Sequence, residues 1–176
     1  MDKLKLVSPS EKYKIQYIHF IEECKEDIQK CSMSYYMPFS DNNRFSNDLQ
    51  HLINNGKGLN LPKGWVAAST YWLMDDKYIR ILGTITIRHA LVGYLFFRGG
   101  HISYYINLGK RRIGYATKML NLALEECKKY NLDKVMITCA ENNIGSSKTI
   151  ENNGGVLHSE DNENGEIFKR YWIDTK

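Results

Sequence analysis

The sequence lacks several features that would assign it quickly to a class of protein. No stretch approaches the roughly 20 apolar residues that a membrane-spanning helix needs, and the first residues lack the uninterrupted apolar segment of a signal peptide. The four cysteines form neither a CxxC pair nor a Cys/His cluster with zinc spacing. We therefore expect a cytoplasmic protein with reduced cysteines, no metal site and no membrane partner.

Charge of one sign is also scarce. The net charge of the 176 residues is +4, and the basic residues are spread among acidic ones rather than gathered in one block. This argues against binding through a basic face, so we expect no nucleic-acid partner. The chain has the length of one domain and 43% hydrophobic residues. Residues 1–176 are therefore predicted to form a single domain with its own core.

The spacing of apolar residues predicts strands and helices in alternation. Strands are predicted at residues 4–7, 65–75, 78–89, 101–106, 134–139, 156–160 and 166–173, and helices at 13–24, 46–54, 112–130 and 143–153. The fourth strand, the helix after it and the fifth strand form a crossover, whose length implies parallel neighbours. The predicted fold class is therefore α/β (α+β), with a mixed, mostly antiparallel sheet flanked by helices in which strands 4 and 5 are parallel.

The segment NLGKRRIGYAT, residues 107–117, lies between the fourth strand and the helix that follows it. Lys110, Arg111 and Arg112 thus stand at the start of a helix, where the aligned peptide dipoles already place partial positive charge. Free backbone N–H groups at a helix start bind anions, and a glycine lets a bulky polyanion approach the main chain. Three cations at this place are explained by a phosphate-bearing ligand; a solvated basic loop is the alternative.

Two common phosphate-binding patterns fit this turn poorly. Gly109 and Gly114 have the spacing of the NTPase phosphate loop, but Tyr115 and Ala116 follow where Lys and Ser or Thr are required. The dinucleotide fingerprint GxGxxG would need glycine at three positions, and the residues there are Gly114, Ala116 and Met119. Neither an NTPase nor a dinucleotide-binding protein is indicated.

A third pattern, RxxGxA, is formed by Arg111, Gly114 and Ala116 between a strand and a helix. It resembles the pyrophosphate-binding signature of the GNAT superfamily of acyl-CoA-dependent N-acetyltransferases. The resemblance implies that the chain has the GNAT-like acyltransferase fold and that acetyl-CoA is its acetyl donor.

A second segment, ITCAENNIGSSKTIENNGG at residues 137–155, supports the same resemblance. It is similar to the GNAT segment in which a strand is followed by an Asn, a small residue three positions later and a helix that runs into a glycine. Asn143, Ser146 and Gly154 occupy these positions. Together with the closing KRYWI, the segment resembles a group of bacterial predicted acetyltransferases. The resemblance covers residues 66–173 in element order.

The resemblance implies where acetyl-CoA binds. The backbone N–H groups expected to hold its pyrophosphate are those of Arg111, Arg112, Gly114, Ala116 and Thr117. The side chains of the cations are expected to serve the diphosphate and the 3'-phosphate of CoA.

The end of the fourth strand and the start of the last helix are expected to complete the acetyl-CoA site. Tyr104 and Ile106 are expected to pair through their backbone with the pantetheine arm, where an N–H also polarises the thioester carbonyl. The Tyr104 side chain is interpreted as a core or sheet-surface aromatic. Asn143 and Ser146 are expected to contact CoA, and helix capping is the alternative for both.

Catalytic residues are less well marked. His101 opens the fourth strand near the place where several GNAT enzymes carry a Glu, which makes it a candidate general base. The alternative is a histidine hydrogen-bonded at a strand edge. Many members place a Tyr acid seven residues after the Asn of the second segment, and that position is Ile150 here. Because a thiol with a pKa near ~8.5 leaves tolerably as an anion, the missing acid weakens the catalytic case without removing it.

The predicted function is direct transfer of an acetyl group from acetyl-CoA to a primary amine in a ternary complex, with a small molecule as the first candidate acceptor. The alternative is a non-catalytic module that binds acyl-CoA or CoA. Tyr35, Tyr36, Met37 and Phe39 are candidates for the acceptor pocket and equally candidates for the core. A homodimer is common for this fold, but no surface in the sequence selects one.

Overall fold

The computed structural model describes residues 3–29, 41–75, 77 and 79–176. Its strands are Leu4–Val7 (β1), Ala68–Asp75 (β2), Ile81–Arg88 (β3), Ile102–Ile106 (β4), Lys134–Ala140 (β5), Val156–Glu163 (β6) and Glu166–Asp174 (β7). Its helices are Lys14–Gln29 (α1), Phe45–Gly56 (α2), Tyr94–Phe97 (α3), Tyr115–Cys127 (α4) and Ile144–Glu151 (α5). Across these described ranges no helix is long and apolar enough to cross a membrane. The predicted fold class is confirmed.

The strands form two sheets, and the order of the first is β1-β2-β3-β4 and that of the second β5-β7-β6. All the hydrogen-bonded ladders within them are antiparallel. β4 and β5 are therefore edge strands of separate sheets, and we call the space between them the inter-sheet gap. The parallel arrangement of these two strands stays a prediction.

The two sheets meet where the chain enters β4. The backbone N–H of His101 donates to the carbonyl of Met136 at 2.7 Å, and the Met136 N–H donates to His101 Nδ1 at 2.9 Å. Gly100 permits this approach, since a Cβ there would lie 2.4 Å from the Met136 oxygen. Among the described residues no other backbone hydrogen bond joins β4 to β5. The gap is thus closed at one end and open along the rest of the two strands.

Two hydrophobic clusters lie on opposite faces of the first sheet. One packs the sheet against α4 and β5, and Leu73 and Ile85 belong to it. The other packs the sheet against α1 and α2, with Tyr17 stacked on Trp72 at 4.6 Å between ring centroids. Because side chains alternate along a strand, neighbouring residues of β4 contribute to different clusters. This alternation sends the Tyr104 side chain towards α4 and α5.

The helix after the basic turn begins later than predicted. α4 starts at Tyr115, because Arg112 and Gly114 adopt left-handed backbone conformations with φ of 65° and 88°. Such residues cannot continue into a right-handed helix. Ile113, which the periodicity places on the apolar face, precedes the helix and is 50% exposed. The chain thus makes a tight turn where the sequence pattern predicts a first helical turn.

The last hairpin differs from the prediction in its turn. β6 continues to Glu163, so most of the acidic segment DNENG is strand, and Asn164 and Gly165 alone form the turn. Both have positive φ, as two-residue hairpin turns require. The pattern also missed α3, the short helix before β4. Arg98, which follows α3, forms ion pairs with Glu163 and Glu166 beside this turn and so fixes α3 to the hairpin.

We predict that Gly100→Ala destabilises the protein more than Gly64→Ala. Both glycines have positive φ, but a Cβ at position 64 meets nothing within 4 Å. The control therefore measures the cost of the backbone conformation alone, and Gly100→Ala adds the clash with Met136, worth about 1 to 3 kcal/mol. Urea denaturation of both variants measures the difference. Equal losses of stability in the two variants would show that the close contact between Gly100 and Met136 does not hold the two sheets together.

Candidate functional site

The turn before α4 ends in a series of free backbone donors. Lys118 donates to the Gly114 carbonyl at 3.1 Å and so begins the hydrogen bonding of the helix. In the described part of the chain, the backbone N–H groups of residues 112–117 have no hydrogen-bond acceptor. They lie at the positive end of a helix of 13 residues. This arrangement is suited to binding an anion.

Arg112 adds a positive charge between two helix starts. Its Cζ lies 3.6 Å from where a Cβ of Gly145 would stand, in the first turn of α5. No ion pair of Arg112 is found among the described residues. Asn143 caps α5 by accepting the Ser146 N–H at 3.1 Å. The structure thus brings Arg112, Asn143 and Ser146 close to the free donors of the turn.

Arg111 is turned the other way. Its Nε donates to the Ile106 carbonyl at 2.9 Å, and its Nη2 pairs with Asp27 of α1 at 2.7 Å. The guanidinium also lies over the Tyr105 ring, 5.0 Å from the centroid. Its backbone N–H points to the Leu108 carbonyl at 3.4 Å. The structure does not bring the Arg111 side chain to the free donors, and its role in binding CoA stays a prediction.

A further contact holds the turn to α1 and was not predicted. Asn107 accepts the Gly109 N–H at 3.0 Å through Oδ1 and donates to Glu23 through Nδ2 at 2.7 Å. Glu23 and Asp27 lie four residues apart in α1, hence on one face of that helix. The spacing of these two acidic residues is the only sign of the contact in the sequence. It does not identify the partners, Asn107 and Arg111, because each lies 84 residues away. Both contacts fix the turn rather than leave it mobile.

The backbone of β4 presents polar groups to the inter-sheet gap. Asn107 donates to the Leu82 carbonyl and Arg88 donates to the His101 carbonyl, so the odd-numbered residues of this strand bond to β3. In an antiparallel ladder the alternate residues point the opposite way. The N–H and C=O groups of Tyr104 and Ile106 therefore face the gap. This placement supports the expected pairing with a pantetheine arm.

His101 lies at the closed end of the gap. It is 6% exposed, and its Nδ1 accepts the Met136 N–H, so the ring proton is assigned to Nε2. Burial, with a smaller effect of the Arg88 charge, lowers the pKa of His101 to about 4. These contacts favour the interpretation as a histidine hydrogen-bonded at a strand edge. The role of general base stays a prediction, and this geometry weighs against it.

The Tyr104 side chain links β4 to α5. Its hydroxyl lies 2.7 Å from the Ser146 hydroxyl in α5, and burial raises the pKa of Tyr104 to about 12. Ile150, at the position of the usual tyrosine acid, is fully buried, and a Cβ at Gly155 would lie 2.3 Å from its Cγ2. Position 150 is thus part of the core, whereas the Tyr104 hydroxyl contacts the first turn of α5.

The other residues predicted for the acetyl-CoA site lie at the start of α4. Ala116 and Thr117 lie in the first turn of α4, and the Thr117 carbonyl accepts the Asn153 side chain at 3.1 Å, which joins α4 to the end of α5. The acceptor candidates from Tyr35 to Phe39 lie outside the described residues. Within those described, no group of three or more His, Cys, Asp or Glu side chains is placed to hold a metal ion.

The family model for the acetyltransferase (GNAT) domain matches residues 27–156, which is well over half of the chain. The chain belongs to the GNAT family. No curated protein matches the sequence of this GNAT protein.

Solved structures share the fold of this GNAT protein at low sequence identity. Microcin C7 self-immunity acetyltransferase, in complex with acetyl-CoA and AMP, is 16% identical, with a TM-score of 0.65 over 99% of this chain and 93% of that one. Ribosomal-protein-S5-alanine acetyltransferase from Vibrio fischeri is 16% identical, with a TM-score of 0.66 over 98% and 92%. RimJ from Mycobacterium smegmatis, in complex with CoA-disulfide, is 13% identical, with a TM-score of 0.70 over 97% and 81%.

We predict that His101 stays neutral well below pH 6. Its pKa in the folded protein is about 4, below the roughly 6.5 of an unfolded chain. The unfolded state therefore binds the proton first, and the free energy of unfolding falls by up to about 3 kcal/mol as the pH drops from about 6.5 to 4. NMR titration of the imidazole measures the pKa, and denaturation across this range measures the loss.

The matched control is His158→Gln, which makes at an exposed position of β6 the same substitution as His101→Gln. His158→Gln measures how the loss of an exposed histidine changes the pH dependence of the free energy of unfolding, and His101→Gln measures the same for the buried one. Titration of His101 near pH 6.5, with turnover following the same curve, would contradict the structural interpretation and restore the general base.

Proposed function

We propose that the protein is an N-acetyltransferase that moves an acetyl group from acetyl-CoA to a primary amine by direct transfer in a ternary complex. The observation that carries this proposal is the set of free N–H groups at residues 112–117, with the Arg112 guanidinium beside them. They stand in a chain of the GNAT family. A pyrophosphate is the anion that such a set of donors can bind with several hydrogen bonds at once.

The donors lie at the open end of the inter-sheet gap, which supports an extended acyl arm running from them into the gap. The inward-facing backbone groups of Tyr104 and Ile106 would pair with the amides of that arm. A backbone N–H there is a fixed dipole, of the kind that stabilises the oxyanion formed when an amine attacks a thioester. The Ile106 carbonyl already accepts from Arg111, so Tyr104 offers the freer pair of groups.

Direct transfer is favoured over a covalent acyl-enzyme by the state of the cysteines. Cys24, Cys127 and Cys139 are all buried. Burial raises the pKa of each thiol, that of Cys127 to about 12. A thiol in this state is a poor nucleophile, because the thiolate is the reactive form. Cys31 lies outside the described residues.

For the acceptor we propose a primary amine, with small molecules tested first. Proteins with the same fold include a ribosomal-protein-S5-alanine acetyltransferase and an acetyltransferase that modifies the N-terminal serine of ribosomal protein L7/L12. Peptides that begin with Ala or Ser are therefore the second class to test.

A non-catalytic acyl-CoA or CoA-binding module is the second candidate. Two observations favour it: Ile150 is a core residue at the position of the usual acid, and His101 already accepts a backbone hydrogen bond. Such a module would keep the free donors of the turn and lack turnover.

The first experiment measures release of free CoA thiol from acetyl-CoA, with and without pooled small amines and peptides. We expect release that depends on the amine, since direct transfer couples the two. Binding of acetyl-CoA in calorimetry without release from any pool would contradict the enzyme and support the non-catalytic module.

We predict that Arg112→Gln weakens binding of CoA roughly ten- to a hundredfold, the cost of one charge-assisted hydrogen bond. Arg80→Gln is the matched control, because it removes the same charge from an exposed residue just before β3. Isothermal calorimetry at two salt concentrations measures both variants. Equal affinities of the two would place the phosphates away from Arg112.

A further inference from the structure

The apolar stripe of α2 ends in a polar residue. Phe45, Leu49 and Leu52 are buried at helical spacing and belong to the cluster on the α1 and α2 face of the first sheet. The next buried position of the same helix is Asn55, which is 1% exposed. An apolar side chain would continue the stripe and stabilise the helix against the sheet.

The side-chain amide of Asn55 is buried without a partner. Among the described residues, neither its Oδ1 nor its Nδ2 makes a hydrogen bond. Burial of an unpaired donor or acceptor lowers the stability of a protein, and most buried polar groups are therefore paired. Asn55 holds one of each. An unpaired buried amide at an apolar position indicates a place where a ligand supplies the missing partners.

Asn55 lines a cavity of about 300 Å³ that lies between α2 and the loop after it. This volume is at the lower end of the range of small-molecule sites. The polar side chains around it pass from exposed through half-buried to buried: Asn47, Gln50 and Asn60, then His51 and Asn54, then Asn55. The unpaired amide thus lies at the inner end of a concave polar surface.

Hydrogen bonds hold the cavity in its shape. The Leu59 N–H donates to the Asn54 carbonyl at 2.9 Å, which fastens the loop to the end of α2. Asn60 turns the chain with a left-handed φ of 57°. The Gln50 side chain donates to Asn54 Oδ1 at 2.8 Å and so orients two of the lining amides. The surface is therefore formed before a ligand arrives.

The lining indicates the chemistry of that ligand. In the described part of the chain, no Lys, Arg, Asp or Glu lines the cavity, so no phosphate, carboxylate or ammonium finds an opposite charge there. No Phe, Tyr or Trp offers a ring on which a base could stack. A carboxamide presents a donor and an acceptor side by side. Two neighbouring hydroxyl groups match it, because each can both donate and accept.

We propose that this cavity binds a neutral polyhydroxylated ligand of about monosaccharide size, with two neighbouring hydroxyl groups paired to the Asn55 amide. The cavity lies on the face of the first sheet that carries α1 and α2, whereas α4 and its free donors belong to the other face. The inference goes beyond the proposed function and does not depend on it.

The first test is saturation-transfer-difference NMR of the whole chain with glucose, galactose, mannose, ribose and sorbitol, each titrated separately. We expect at least one of them to bind saturably with a Kd of roughly millimolar or below, as a ligand of this size allows. Adenine and N-acetylglycinamide stand for a base and a peptide amide, and we expect neither to bind.

Two substitutions locate the binding. Asn55→Leu keeps the branched shape of the side chain without its polar atoms, and we expect it to raise the Kd roughly tenfold or more. Asn121→Leu is the matched control, because it makes the same substitution at an exposed position of α4, and it should leave the Kd unchanged. Gln50→Ala alters an exposed side chain of the cavity and should raise the Kd roughly two- to tenfold.

Thermal melting without a ligand gives a second readout. We expect the Tm of Asn55→Leu to rise above that of wild type by roughly 2 to 4 °C, because the unpaired amide is gone. Asn121→Leu corrects for the change in helix propensity. A lower Tm in both Asn55→Leu and the smaller Asn55→Ala would show that the amide is already paired, and would overturn the inference.

The remaining outcomes are equally decisive. Folded wild type that binds none of the sugars or sorbitol would show that water alone serves Asn55, and the inference would fall. Binding that Asn55→Leu and Gln50→Ala leave unchanged would place the ligand elsewhere and overturn it as well. Adenine or N-acetylglycinamide bound in preference to every sugar would contradict the chemical class. None of these results bears on the acetyltransferase proposal, which is measured by release of CoA thiol.

Discussion

The whole arrangement depends on the close backbone approach of Gly100 and His101 to Met136. At this place two separate sheets are joined by a backbone hydrogen bond to the Met136 carbonyl and by the His101 imidazole, which accepts the N–H of the same Met136. A side chain on Gly100 would occupy the position of the Met136 carbonyl. Because the sheets touch here and diverge beyond, β4 keeps an unpaired edge. The backbone polar groups on that edge are left without strand partners, whereas a continuous sheet would have paired them with β5.

The two arginines of the basic turn make different contacts, and this explains how they coexist at the positive end of a helix. Arg111 is neutralised by Asp27 and fastens the turn to α1, together with Asn107 and Glu23. Arg112 keeps its charge near the first turn of α5. One arginine thus fixes the turn, and the next keeps its charge beside the free backbone donors. The pattern RxxGxA specifies Arg111 and leaves the position of Arg112 open.

Sequence reasoning located most elements because helix and strand periodicity is local. It placed β4, α4, β5 and α5 in the right order, and it found the turn whose backbone donors are free. It failed where the deciding partner is distant in sequence. The salt bridge of Arg111 to Asp27 spans 84 residues and the contact of His101 with Met136 spans 35, and neither leaves a local pattern. The start of α4 was misplaced because Arg112 adopts a conformation that its residue type seldom shows.

The same division into sheets also separates contacts of short sequence separation from contacts of long sequence separation. The second sheet is built from β5, β6 and β7 with α5 between them, so its contacts join residues close together in the chain. β1 instead pairs with the far end of β2, Leu4 opposite Asp75, and must close a long loop to do so. Loop closure of this kind costs entropy before any contact compensates for it. The pairing of β1 with β2 therefore carries a larger entropic cost than the pairings within the second sheet.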